Sequence, residues 1–509
     1  MTTASLYKGL PLPCIIDNAA HETNSTYSVA SLIEPGQEQK KVYAASTADV
    51  EAAVASSKRA FAGWRDTPVT ARRSILLKAS HLFKERIPEL IGVETEETSS
   101  GTGFAGYEIA VLASDLLEET ACAMNQALRG ETAPTDPTGK QMIMERVPFG
   151  CVLGIAPWNA PVVLGLRSVI GAIAAGNVAI MKTSEYSPTV HTALAQVLID
   201  AGLPKGVLNV LHVDPKDAPS VIDALIGHEF VRKINFTGST RVGRIIAQVA
   251  AKYLKPLTLE LGGKNPIVIT ENADLDLAAN NVIFGGFLHQ GQICMSASNI
   301  FIHESVLDAV SQKIAALISE NSGLIRASNQ PTDLGNDKSH RLRGLFNRAS
   351  LERAQDLLKD AQEHGAKLVA GEQKAGETNG TAFQPHILSG VSQKARLYRE
   401  EAFAPLLALI PYKSEEEVLN IINESEYGLS ASVYSTNHAQ AWRLARAIES
   451  GAVHINGQTV HDSQDVVHGG VKASGYGRFN GAEGIREFTQ LKVITIAAGG
   501  GTKMPFTMM

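Results

Sequence analysis

A cysteine and a carboxylate carry the sharpest chemistry in this chain. Cys294 sits in Gly291-Gln292-Ile293-Cys294-Met295-Ser296, and Glu260 stands alone in the run Leu257-Thr258-Leu259-Glu260-Leu261-Gly262-Gly263. A thiolate can attack a carbonyl carbon and a carboxylate can then direct water at the thioester, so the two facing one cleft would make a covalent catalyst for carbonyl compounds. Each residue also has a plainer reading. A free cysteine usually behaves as a small buried hydrophobe, and that reading is given to Cys14, Cys122 and Cys151. An acid inside an apolar, strand-like run costs free energy unless it is paired, hydrogen-bonded or functional.

Asn159 lies in Ala156-Pro157-Trp158-Asn159-Ala160-Pro161. Prolines on both sides fix the backbone and so hold the amide in place. A held N–H₂ donor beside a thiolate suits a tetrahedral oxyanion, for which one such donor is typically worth ~3 kcal/mol. The alternative is an Asx turn stiffened by proline. Two other segments suit a dinucleotide. Thr237-Gly238-Ser239-Thr240-Arg241-Val242-Gly243 is a glycine turn entering an amphipathic helix, with Ser239 or Thr240 as cap, whose free N–H groups and dipole would attract a pyrophosphate. A plain N-cap is the alternative. Lys182-Thr183-Ser184-Glu185 follows a strand-like run, where Lys182 could bond a ribose or phosphate. Glu185 at an adenosine ribose would accept from both hydroxyls and repel a 2′-phosphate, although an ordinary solvated Lys-Glu pair has the same spacing.

The elements that must position these residues read as α/β. Amphipathic helical spacing dominates the first third, over residues 48–64, 71–99 and 106–128. Short β-type runs at 151–155, 178–181, 207–211 and 232–236, separated by helical stretches such as 187–202, predict a parallel sheet. A second series at 266–269, 299–302, 405–410 and 431–434, between helices such as 307–320 and 349–365, predicts a second α/β domain. Residues 130–145, rich in Pro, Thr and Gly, and a run at 491–496 are candidates to pair as a protruding arm.

At 509 residues the chain has length for two or three domains. A net charge of −6, dispersed along the chain, makes no electrostatic case for nucleic acid or an anionic membrane and favours small-molecule chemistry. Four cysteines without paired or metal-ligand spacing speak against a disulfide framework or a metal site and fit a reducing compartment. The amino terminus lacks the pattern of a secretory or transit signal, so a cytoplasmic location is expected. The most apolar stretch, 147–181, is broken by Pro157, Asn159, Pro161 and Arg167 and reads as buried strand-turn-helix rather than a membrane span.

Taken in this order, the motifs resemble the NAD(P)-dependent aldehyde dehydrogenase superfamily from about residue 47 to about residue 493. The resemblance implies Cys294 as nucleophile, Glu260 as general base, and Asn159 with the Cys294 backbone N–H as the oxyanion hole. It implies cofactor contacts from Pro157, Trp158, Lys182, Glu185, Gly238, Ser239 and Gly243. Through Glu400-Glu401-Ala402-Phe403-Ala404-Pro405 it implies Glu401 at the nicotinamide ribose and Phe403 near the ring, with Ala404 replacing the usual glycine. NAD is the expected cofactor, NADP the alternative, and no metal is expected. The implied fold is α/β: a Rossmann-like cofactor domain (1–127 and 149–261), a catalytic α/β domain (262–455, with 456–478 returning to the active-site region) and a two-strand oligomerisation arm (128–148 and 479–498). Such arms add strands to a partner's sheet, so a homodimer or homotetramer is expected.

The segments His454-Ile455-Asn456-Gly457-Gln458-Thr459-Val460-His461-Asp462 and Gly469 through Phe479 are similar to the salicylaldehyde, vanillin and benzaldehyde dehydrogenase branch, which implies an aromatic aldehyde. Gln458 departs from that branch's usual proline, and Val467-His468 replaces a Pro-Phe pair whose Phe lines the aldehyde pocket. An imidazole there can hydrogen-bond a ring hydroxyl, so His468 is expected to favour hydroxylated rings. Arg167, on the helix beyond Asn159, is a further pocket candidate with a structural ion pair as its alternative; Ile293 and Met295 flank the nucleophile. The competing functions are a general aliphatic or semialdehyde dehydrogenase, a CoA-acylating relative, which generally lacks the acid at the Glu260 position, and a catalytically idle crystallin-like protein.

Overall fold

The computed structural model describes residues 10–30, 38–98, 100–133, 140–322, 327–328, 342–371 and 380–497. Two large sheets dominate it. The first has eight strands in the order Ala19–His21, Cys14–Ile16, Leu208–Leu211, Val178–Lys182, Cys151–Ile155, Val231–Thr237, Leu257–Glu260 and Gly475–Tyr476. Its five middle strands are parallel and its edge pairings antiparallel. Cys151–Ile155 and Val178–Lys182 are buried along their whole length, which is why they read as continuous apolar runs without alternation.

Sequence order reverses at the centre of this sheet. From Cys151–Ile155 the chain steps outward through Val178–Lys182 to Leu208–Leu211, then returns to lay Val231–Thr237 against the other side of Cys151–Ile155. Ligands of open α/β sheets gather at the carboxyl ends of strands flanking such a switch point. Those ends lead into the Asn159 loop and the Ser239 turn.

The second sheet has seven strands, in the order Lys367–Ala370, His386–Ser389, Leu406–Tyr412, Ala297–His303, Asn265–Ile269, Ser430–Tyr434 and Ala452–Ile455, parallel except at its first pair. A separate antiparallel sheet joins Glu131–Ala133, Gln141–Pro148 and Thr489–Ile496. The arm therefore has three strands instead of two. Its last strand starts at Thr489, because Gly481–Arg486 is a helix packed on Ser114–Ala127 and Phe488 is buried in the core. Among the described residues no helix is long and apolar enough to cross a membrane.

Three other expectations need correction. The helix expected over 71–99 is two, Val69–Glu85 and Ile87–Glu97, because Pro88 lacks an N–H and is favoured in a first turn. The first third also holds four strands before residue 45, short or edge-placed and so weakly patterned. Cys122 is exposed on Ser114–Ala127, whereas Cys14 and Cys151 are core residues.

Candidate active site

Glu260 is the last residue of Leu257–Glu260 and pairs in register with Thr237. It is fully buried, and the Cys294 thiol and Thr237 hydroxyl lie beside it, yet neither carboxyl oxygen completes a hydrogen bond among the described residues. Cys294 reaches it through a tight reversal after Leu275–Phe287, in which His289, Gln290 and Gly291 all take left-handed conformations, with φ of 49°, 62° and 68°. For His289 and Gln290 such backbone costs on the order of 1 kcal/mol or more each and persists only where neighbours hold it. Here they do. Asn265 Nδ2 donates to the carbonyls of Cys294 (2.8 Å) and Ser296 (2.9 Å), and Asn159 Nδ2 donates to that of Gln292 (3.0 Å). A Cβ at Gly291 would come within 2.6 Å of the Ala404 carbonyl oxygen, so the reversal needs glycine there.

Burial pushes the Glu260 carboxyl up from its usual range. Burial, then the charge of Glu260, pushes the Cys294 thiol up as well. The resting pair therefore keeps its protons more readily than either group would in water. Asn159 spends one N–H on Gln292 and has a second for a developing oxyanion.

Two dinucleotide candidates stand at carboxyl ends of strands in the sheet that carries Glu260. Ser239 caps Thr240–Lys252, its Oγ accepting from the Val242 N–H at 3.4 Å, and the Gly238 N–H donates to the Glu260 carbonyl at 3.1 Å. A Cβ at Gly243 would lie 2.5 Å from Leu261, so glycine lets this helix sit against the residue after Glu260. Lys182 and Glu185 pair at 2.9 Å at the end of Val178–Lys182. Glu401 accepts from the Gly263 N–H at 3.1 Å, and burial raises its carboxyl to about 7. Phe403 meets the edge of Trp158 with ring centroids 6.1 Å apart, while Trp158 stacks on Phe346 at 3.6 Å. The positive φ in this loop falls on Phe403, at 50°, and not on Ala404, so alanine replaces glycine there without strain. The capped helix N-terminus and the Lys-Glu pair stand at carboxyl ends of strands in the first sheet, and Glu401 reaches it from the second through Gly263.

The pocket candidates separate into two kinds. Ile293 and Met295 are buried on either side of Cys294 in the large hydrophobic core. Arg167 is buried and ion-paired with Asp462, faces the Phe479 ring at 5.7 Å, and its charge reaches Glu260. The structure thus gives Arg167 the ion pair that is the alternative to its pocket reading. His468 exchanges backbone hydrogen bonds with Phe479, at 3.0 and 2.8 Å, and its buried Nε2 has no partner among the described residues. Burial pushes its imidazole down to about 4, so it is neutral near pH 7. The buried Gln458 Oε1 is likewise without a partner among the described residues.

Asp462 gives a measurable consequence. Burial pushes its carboxyl up, but Arg167 and His468, with hydrogen bonds from Arg167 and Gln464, outweigh this and hold it down at about 2. Its stabilising contribution is complete above the unfolded value of about 4 and is lost as pH falls through about 2. Asp462→Asn leaves Arg167 buried without its counter-charge and is expected to destabilise the fold by about 3–5 kcal/mol in urea unfolding. A loss under about 1 kcal/mol would show that water replaces the pair.

A profile of the aldehyde dehydrogenase family matches residues 20–494. The chain belongs to the aldehyde dehydrogenase family. It is 41% identical over 464 residues to a vanillin dehydrogenase of Pseudomonas sp. (strain HR199 / DSM 7063), covering 91% of this chain and 93% of that protein. A salicylaldehyde dehydrogenase of Pseudomonas putida is 38% identical over 452 residues, 89% of this chain and 91% of the relative. The solved structure of a salicylaldehyde dehydrogenase from Pseudomonas putida G7 complexed with salicylaldehyde superposes with a TM-score of 0.90 at 35% identity, over 97% of this chain and all of that one. This aldehyde dehydrogenase is thus an oxidoreductase that oxidises an aldehyde with a nicotinamide cofactor.

Several residues of this aldehyde dehydrogenase site carry no local signature. Asn265 anchors the Cys294 loop from 29 residues away. His191 joins the turn after Val178–Lys182 to the start of Pro161–Ala174: its Nδ1 accepts from the Ser184 N–H (3.2 Å) and its Nε2 donates to the Pro161 carbonyl (3.1 Å). Asp462 falls within a quoted motif, but its partner Arg167 lies 295 residues earlier. The sequence offers no hint at His191, whose helix also carries Thr189, Thr192, Gln196 and Asp200.

Proposed function

We propose that this chain oxidises a hydroxylated aromatic aldehyde to its carboxylic acid, with NAD as the preferred oxidant. The observation that carries the chemistry is the contact of the Cys294 thiol with the buried Glu260 carboxyl beside the Asn159 amide. Cys294, its thiol proton first released to solvent water, adds as the thiolate to the aldehyde carbon, and the second N–H of Asn159 stabilises the oxyanion of the thiohemiacetal. The bound nicotinamide supplies the hydride acceptor. Collapse leaves a thioester on Cys294, and Glu260, once ionised, takes a proton from the water that releases the acid.

Substrate class is supported by what the relatives act on and by two polar atoms of this chain. His468 Nε2 and Gln458 Oε1 are buried without partners among the described residues, in a segment whose Asp462 pairs with Arg167 near Glu260. A neutral imidazole and an amide carbonyl can bond a ring hydroxyl. NAD preference is supported by Glu185, whose carboxylate, held low by Lys182 against the cost of burial, would repel a 2′-phosphate. We assign residues 1–127 and 149–261 to cofactor binding, 262–455 with 456–478 to catalysis, and the three-stranded arm to contact with a second copy.

The test measures NADH and NADPH formation from benzaldehyde, salicylaldehyde, vanillin and an aliphatic aldehyde, with wild type and His468→Phe. The hydroxylated rings are expected to lead in kcat/KM, and His468→Phe to remove about 3–10-fold of that lead, the worth of one hydrogen bond. Equal kcat/KM for benzaldehyde and its hydroxy forms, unchanged by His468→Phe, would sink the substrate assignment. A faster reaction with NADP would sink the cofactor assignment.

A further inference from the structure

Helix Pro161–Ala174 starts two residues after Asn159, and its N-cap, Ala160, has no side chain to satisfy the first amides. The cap comes from another part of the chain. Glu108 Oε1 accepts from the backbone N–H groups of Val162 and Val163, both at 2.8 Å, across more than fifty residues. Glu108 is fully buried and opens a π-helical turn, Glu108–Ala113, set between Thr102–Tyr107 and Ser114–Ala127. Single π turns inside helices are rare and concentrate at functional positions, because the extra residue re-aims one side chain.

Glu94, on Ile87–Glu97, is also fully buried and packs beside Glu108. Neither Glu94 oxygen, nor Glu108 Oε2, completes a hydrogen bond among the described residues, although Ser100 lies beside Glu94. Burial first, and for Glu108 then the neighbouring carboxyl, raises both acids. Two desolvated carboxyls in contact cannot both ionise and hold one proton between them. That proton can bridge Glu108 Oε2 to one Glu94 oxygen, with Ser100 beside the same Glu94 carboxyl, and leaves Glu108 Oε1 free to accept the two helix amides.

We propose that Glu108 is a positioning residue for the Asn159 amide, seating the oxyanion loop by capping helix Pro161–Ala174 from a second helix, with Glu94 packed behind it. The inference rests on the reading of Asn159 as oxyanion donor. The loop before Asn159 is tied to the sheet by the Ala156 N–H to the Lys182 carbonyl, at 3.2 Å. After Asn159 the chain is tied by Glu108 and by His191 at the Pro161 carbonyl. Removing the Glu108 carboxyl strands two buried N–H groups at the helix start, and the chain relaxes toward other acceptors. A shift of about 1 Å in a transition-state donor can cost about 100-fold in rate.

A double-mutant cycle tests this, with kcat normalised to the folded fraction by near-UV circular dichroism. Glu108→Met keeps the length and removes the acceptor; it is expected to lower kcat by about 10–100-fold with KM changed less than about 3-fold. Glu108→Gln keeps an acceptor for the two amides and an N–H for Glu94, and is expected to stay within about 3-fold of wild type. In an Asn159→Ala background Glu108→Met is expected to add under about 2-fold, since the donor it positions is gone. If Asn159→Ala is slow but Glu108→Met costs the same factor in both backgrounds, or Glu108→Gln falls as far as Glu108→Met, the positioning role is overturned alone. If Asn159→Ala keeps wild-type kcat, the oxyanion reading falls and this inference with it.

Discussion

Cys294→Ala is expected to lower kcat for aldehyde oxidation by at least about 10⁴-fold, to the background of the assay, because no other nucleophile replaces the lost covalent path. The other cysteines offer no substitute: Cys14 and Cys151 are sealed in the core, where burial raises both thiols to about 12, and Cys122 is exposed on the surface of Ser114–Ala127. The melting temperature should change by only a few degrees, since Cys294 is partly exposed and alanine keeps the backbone path held by Asn265. In the wild type, kcat/KM should rise with pH and still be climbing in the alkaline range, because the thiol must ionise to attack and burial raises both it and Glu260. Activity surviving in Cys294→Ala above a hundredth of wild type would end the covalent mechanism.

Glu260→Gln is expected to separate the two halves of the reaction. Without the base, water attacks the thioester slowly, and steady-state kcat should fall by about 10²–10⁴-fold. Acylation does not need that base, so one equivalent of reduced cofactor per site should still appear in a burst. Stopped-flow absorbance reads both phases; loss of the burst along with the steady state would mean that Glu260 activates Cys294 instead of water. Stability should move the other way. An acid raised on folding contributes most below its unfolded value, and that contribution is lost as pH rises through the higher folded value. Glu260→Gln removes the ionisation penalty, so at about pH 8 the variant should melt no lower than wild type.

Much of the fold is readable from short-range pattern. Parallel strands covered on both faces must be continuous apolar runs, and Cys151–Ile155, Val178–Lys182 and Asn265–Ile269 are therefore found within a residue or so of where the runs lie. Pattern fails where geometry is local but unusual. Pro88 divides a helix whose apolar spacing continues across it, and nothing in Glu108–Ala113 distinguishes a π turn from the α-helix on either side. Strands of three residues, such as Cys14–Ile16 and Ala19–His21, are too short to show a period.

The site divides along the same line. Residue type and order determine the chemistry available: a thiol, an acid in an apolar strand, an amide between prolines, and a capped turn after a strand. Those follow from covalent structure and nearest neighbours, and the sequence contains both. Which groups keep their protons, which side chains are left without partners, and which acid caps which helix are decided by contacts such as Glu108 to Val162, Arg167 to Asp462 and Asn265 to the Cys294 carbonyl. Desolvation and hydrogen bonding act through space over a few ångströms, whereas these partners are 29 to 295 residues apart along the chain. Only the folded chain brings them within range.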